Sequence, residues 1–271
     1  MAVSDISLTS GMRNNLLGLQ KTASNLATTQ ERLSSGKKVN SALDNPTNFF
    51  AAQAANNRAS DLHDRKDGMS EAVQTIKSAD NGISAITSLI QSAKGLASAA
   101  ASTSDTLSQL TYESQFRQVA SQITTLASDS GYRGTNLLTA GTLSIEFSQK
   151  TGDANLSVAG FKADATTLGV TSAAGWSTVG NATQAMANMD NALTTLRSQS
   201  STLASNLSVI TARQDFTTSM INTLQTGADN LTLADMNQEG ANMLMLQTRQ
   251  SLGTTALSLS SQAAQSVLKL F

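Results

Sequence analysis

Thirteen positions in the carboxyl-terminal half, spaced alternately four and three residues apart, restrict what this chain can fold into. They are Met189, Leu193, Leu196, Ser200, Leu203, Leu207, Ile210, Gln214, Thr217, Ile221, Leu224, Ala228 and Leu231, and ten of the thirteen are apolar. A 4,3 repeat sustained over six heptads is the pattern of a long helix with a narrow seam for another helix. At 1.5 Å per residue it spans roughly 65 Å. The same spacing occurs elsewhere. Met12, Leu16, Leu19, Ala23, Leu26, Gln30 and Leu33 form a seam that stops at Gly36, where a helix C-cap is expected. Asn45-Pro46 reads as an N-cap followed by the first helical residue. A helix from about 46 to 100 follows, with Met69, Val73, Ile76, Ile83, Ile86, Ile90, Ala93 and Leu96 on its inner face. Tyr112, Phe116, Val119, Ile123 and Leu126 predict a third helix ending near Ser130-Gly131, and Leu252, Ala256, Leu259, Ala263, Val267 and Leu270 mark a last stripe after Asp235.

The period changes between about 140 and 180. Leu143, Ile145 and Phe147 alternate with polar neighbours, as do Leu156 and Val158, with Gly152-Asp153 between the two runs. This predicts a β-hairpin. The fold class expected is therefore mainly α, with long coiled-coil helices from both chain ends and a small central hairpin. Residues 1–42 and 232–271 are expected to form a terminal coiled-coil domain, and 43–231 a helical rod domain carrying the hairpin. The stripes at the two ends are narrow. Burying Met12, Leu16, Leu19, Leu26 and Leu33 yields on the order of 10 kcal/mol, against about 25 to 50 kcal/mol to order some 25 backbone units. The ends are expected to be largely disordered in a dilute monomer and to fold on self-association.

Composition removes most catalytic chemistry. The chain has no Cys and a single His, which excludes disulfides, thiolate metal sites and any two-histidine zinc site. His63 sits among Asp61, Asp64, Arg65, Lys66 and Asp67, a mixed cluster that reads as a solvated helix face. No Gly-rich phosphate loop and no His-Glu-x-x-His occurs. No enzyme activity, no cofactor and no metal are expected. Eighteen basic and nineteen acidic residues give a net charge of −1, without the positive excess of a nucleic-acid binder. No run of apolar residues is long enough to span a membrane, and no cleaved signal peptide is apparent at the amino terminus.

Particular residues then carry a resemblance. Asn25-Leu26, Arg32-Leu33-Ser34-Ser35-Gly36, Asn40-Ser41-Ala42, Asp80-Asn81-Gly82-Ile83 and Gly134-Thr135-Asn136-Leu137-Leu138 stand in the order of the amino-terminal signature of bacterial flagellin. Asn230-Leu231, Ala234-Asp235-Met236 with Glu239, and the final Gln265-Ser266-Val267-Leu268-Lys269-Leu270-Phe271 resemble its carboxyl-terminal signature. The resemblance covers about residues 1–138 and 185–271, and implies a short flagellin lacking a large outer domain. It further implies a structural subunit that polymerises with itself into the extracellular flagellar filament used for motility, exported without a cleaved signal. Flagellar cap and hook-junction proteins, the flagellar export apparatus and an export chaperone are the implied partners. A hook–filament junction protein forming a finite ring shares these ends and is the alternative.

The resemblance also implies roles for individual residues. Met12, Leu16, Leu19, Leu26 and Leu33, opposed by Leu252, Leu259, Val267 and Leu270, are expected to build the terminal coiled coil used in polymerisation. Arg32, Asn40 and Asp44 are candidate intersubunit contacts. Gln91, Ser92, Lys94, Gly95 and Leu96 occupy the stretch where the family usually has a Gln-Arg-Ile-Arg-Glu-Leu-like segment, seen by the Toll-like receptor that detects flagellin. Here one Arg is Ser, the other is Lys and the Glu is Gly, so weak recognition is expected.

Overall fold

The structure is a computed structural model that describes residues 10–148, 155–172 and 175–268. Its described elements run α1 (Ser10–Ser35), α2 (Pro46–Ala101), α3 (Thr106–Asp129), β1 (Thr142–Glu146), β2 (Asn155–Ala159), α4 (Val179–Thr232) and α5 (Met236–Leu268). The architecture is mainly α with a small antiparallel hairpin, as the periodicities predict. Two compact units are present: Met1–Arg58 with Thr223–Phe271, and Ala59–Asn222.

Local chemistry sets the helix ends. Gly36, at a φ of +71°, ends α1 in the left-handed conformation that glycine adopts without a Cβ penalty. Its N–H donates to the Arg32 carbonyl at 2.8 Å. Asn45 caps α2 by accepting from the Asn48 N–H at 3.0 Å, with Pro46 in the first turn where no N–H is needed. Asp105 caps α3 by accepting from the Ser108 N–H at 3.0 Å. Asp235 caps α5, accepting from Asn237 and Gln238 at 2.9 and 3.2 Å.

In the 59–222 unit, α2 contributes Met69, Ile76, Ile83, Ile86, Ile90 and Ala93 to a shared core, with Val73 and Leu96 half-buried. Phe116 and Ile123 from α3 and Met189, Leu196, Leu203 and Ile210 from α4 complete it. All thirteen seam positions of α4 are buried or half-buried. Alanines at 72, 79, 97 and 100 fill the seam of α2 between its larger residues, which is how so few aromatics suffice.

The hairpin pairs Leu143 with Val158 and Ile145 with Leu156, placing Ile145 and Val158 in the core. Arg65 binds Glu146 at 2.5 Å, and the Arg213 guanidinium lies 5.3 Å from the Phe147 ring centroid. The expected Gly152-Asp153 turn lies outside the described residues. Between β2 and α4 the described residues form no helix or strand, yet Ala163, Leu168, Val170 and Trp176 are all buried. Trp176 packs on Phe116 with ring centroids 4.7 Å apart.

Candidate assembly surface

In the unit formed by both chain ends, α1 and α5 pair side by side. On α1, Met12 and Thr29 are buried, Leu19, Leu26 and Leu33 are half-buried, and Leu16 is at the exposed margin. The partner face on α5 differs from the sequence expectation. Leu252 and Leu259 do not oppose α1: they are 65% and 62% exposed. The face turned inward instead carries Glu239 and Leu246, both buried, with Gln250, Gly253, Leu257 and Ser260 half-buried. The reason is Gly253. A Cβ there would lie 2.6 Å from the Leu19 Cδ2, so the missing side chain lets Leu19 settle against the α5 backbone. A count of large apolar residues passes over a glycine and so assigns the seam one residue too early. Leu270 and the side chain of Val267 lie outside the described residues.

One consequence is that α5 carries two seams. Met245, Leu252 and Leu259, at seven-residue intervals, are all exposed, and Leu244 stands beside them. On α1, Leu17 is exposed as well. Helical residues seven apart lie on one face, so this second line has the form of a helix-packing seam that the chain itself leaves in water.

The three proposed contact residues bond within the chain. Arg32 donates to Glu239 Oε1 at 3.2 Å, joining the end of α1 to the start of α5. Asp44 Oδ2 accepts from the N–H groups of Ser41 and Asn40 at 2.9 and 3.0 Å, closing the turn before α2. These backbone donors hold the Asp44 carboxyl below the usual carboxylate range. Leu43, in the same turn, is almost wholly exposed. The stretch between α1 and α2 is anchored by Lys38, whose N–H donates to the Thr232 carbonyl at 2.7 Å and whose Nζ donates to the Asn230 carbonyl at 3.0 Å.

In the other unit, Gln91, Ser92 and Gly95 are exposed on α2, while Lys94 and Leu96 are half-buried. Lys94 forms an ion pair with Asp190 of α4. His63 lies 3.4 Å from Asp67 on an exposed helix face. Among the described residues, no group of three His, Asp or Glu side chains is placed to hold a metal, and no helix is long and apolar enough to cross a membrane.

Residues 6–142 match the family model described as the bacterial flagellin N-terminal helical region. The chain belongs to the bacterial flagellin family. This flagellin is 30% identical to flagellin FljK and 29% identical to flagellin FljM of Caulobacter vibrioides, in both cases over the whole of each chain. It is 27% identical to a flagellin of Brucella melitensis, over 93% of this chain and 94% of that one. A crystal structure of Bacillus cereus flagellin aligns with 55% of this chain and 88% of its own, at a TM-score of 0.48 and 18% identity. As a flagellin it is a structural protein, the self-polymerising subunit of the extracellular flagellar filament.

Proposed function

We propose that this flagellin polymerises through the unit formed by its two ends, with the exposed line of α5 as the seam that receives neighbouring copies. The observation that carries this reading is the seven-residue recurrence of Met245, Leu252 and Leu259 in water on a helix whose other face is already paired. Each such side chain stabilises an interface by about 1.5 to 3 kcal/mol when fully buried. Several together offset the cost of association, which is of order 4 to 15 kcal/mol. A filament requires the outward line of one copy to meet a different patch on the next, a heterologous contact that does not close. The chain acts as a structural element without catalysis. Flagellar cap and hook-junction proteins meet the ends of the polymer, and the flagellar export apparatus, with a chaperone on the carboxyl-terminal segment, delivers the subunit.

The test is negative-stain electron microscopy of the purified chain after addition of a precipitating salt or filament seeds. Wild type is expected to give long filaments of uniform width. Leu259→Asp, on the outward seam, and Leu26→Asp, inside the pair, are expected to give none, while Trp176 emission shows that the 59–222 unit stays folded. Normal filaments from Leu259→Asp would exclude the outward seam.

A further inference from the structure

Within the α1–α5 pair lies a cleft of about 310 Å³ whose polar lining includes Asn25, Thr28, Arg32, Glu239, Asn242 and Arg249. Glu239 is buried there, with 11% of its side chain exposed. Its Oε1 accepts from Arg32, but its Oε2 has no hydrogen-bond partner among the described residues. A buried carboxylate oxygen without a donor costs more than a neutral acceptor left in the same state.

Charge narrows what can satisfy it. Around the single carboxylate stand two guanidiniums, Arg32 and Arg249. A third cation would be repelled by the net positive charge, and an anion would meet Glu239. A neutral group that donates at one end and accepts at the other fits both, donating to Oε2 while accepting from Arg249. A side-chain carboxamide has this geometry. The helices themselves are rich in such groups: Asn14, Gln20 and Gln30 are exposed on α1 and Gln247 on α5, where Arg249 is the one Lys or Arg among the described residues.

We propose that this cleft is a socket for the carboxamide of an Asn or Gln side chain from a second copy, so that Glu239 gains its missing donor only on assembly. The proposal rests on the filament reading above and names the chemistry of one of its contacts. It makes Glu239 a bifunctional residue, holding α1 to α5 through Oε1 and a neighbour through Oε2.

The experiment is the critical concentration for seeded polymerisation of wild type, Glu239→Gln and Arg249→Gln. In Glu239→Gln the side-chain oxygen still accepts from Arg32, while the amide nitrogen faces the incoming donor. Its critical concentration is expected to rise on the order of tenfold. Arg249 is exposed, so Arg249→Gln leaves the pair folded, and it is expected to show a rise in the same direction. Unchanged or lower critical concentrations in both variants would overturn the socket, since an unoccupied site gains from neutralising an orphaned carboxylate. Wild type that does not polymerise at all would instead overturn the filament reading, and the socket with it.

Discussion

Glu113 Oε2 accepts a hydrogen bond from the backbone N–H of Trp176 at 2.8 Å, fastening α3 to the segment that leads into α4. Oε1 of the same carboxylate takes the Arg117 Nε at 2.9 Å, one turn along the helix. Burial pushes the Glu113 carboxyl up, but the Trp176 N–H, the Arg117 side chain and the Ser172 hydroxyl together hold it below its ordinary value of 4.5. A carboxylate with a depressed folded pKa contributes stability that is fully present above the unfolded value and is lost as pH falls through the folded one. Unfolding of the 59–222 unit, followed by Trp176 emission, is therefore expected to become easier below about pH 4.5. Glu113→Gln is expected to cost about 1.5 to 3 kcal/mol at neutral pH and to flatten that acid dependence. An acid profile identical to wild type would remove Glu113 from the account.

Two glycines of α2 separate steric need from helix propensity. At Gly82 a Cβ would lie 2.2 Å from Ser130 Oγ and 2.7 Å from Leu138 Cδ1. Ser130 cannot easily give way, because its hydroxyl donates to the Leu126 carbonyl at 2.6 Å and its carbonyl accepts from Ser78. Alanine gains about 1 kcal/mol of helix propensity, and overpacking costs about 1 to 3 kcal/mol. Gly82→Ala is thus expected to destabilise the unit by roughly 1 kcal/mol. Gly95 has open space around its missing Cβ, so Gly95→Ala is expected to stabilise by up to about 1 kcal/mol. Denaturant midpoints read from Trp176 measure both, and the same sign for the two variants would contradict this packing.

Helix positions were legible in the sequence where large apolar residues carried the period. The seam of α4 is continuous from Met189 to Leu231, with Ser200, Gln214 and Thr217 in register as half-buried or buried polar members. Asn45-Pro46 and Gly36 announced helix ends through backbone chemistry alone. The inward face of α5 was not legible, because Gly253 packs by lacking a side chain and Glu239 by pairing with a residue 207 positions away. Pairing of that kind has no local signal. Trp176 was equally hidden: its anchor, Glu113, lies on a different element, and the segment before α4 shows no period.

The stretch that resembles the receptor-recognised segment of flagellins has an altered donor set. Ser92 and Gly95 are exposed and offer no guanidinium or carboxylate, and the Lys94 ammonium is engaged by Asp190. Losing an arginine anchor from an interface typically costs at least tenfold in affinity. Purified monomer is expected to need about tenfold or more protein to activate a reporter for the flagellin-detecting Toll-like receptor than a flagellin with the full Gln-Arg-Ile-Arg-Glu-Leu segment. Equal potency would place recognition elsewhere on the chain.

The two-seamed α5 has a dynamic consequence. Within the pair, the buried side chains of the described residues are Met12, Thr29, Glu239 and Leu246, and only two of these are apolar. Ordering each backbone unit costs about 1 to 2 kcal/mol, and α1 alone contains 26 residues. Helices of this length are marginal without packing on a broad apolar face. The α2 segment from Ile76 to Ile90, by contrast, turns four isoleucines into a continuous core. Backbone amides of α1 and α5 in dilute monomer are therefore expected to exchange at least about a hundredfold faster than those of Ile76–Ile90. In filaments, once Met245, Leu252 and Leu259 are covered, they are expected to become protected. Hydrogen exchange read by mass spectrometry on monomer and filament makes the comparison directly. Protection of α1 and α5 equal to that of Ile76–Ile90 in the monomer would mean that the pair is stable without neighbours.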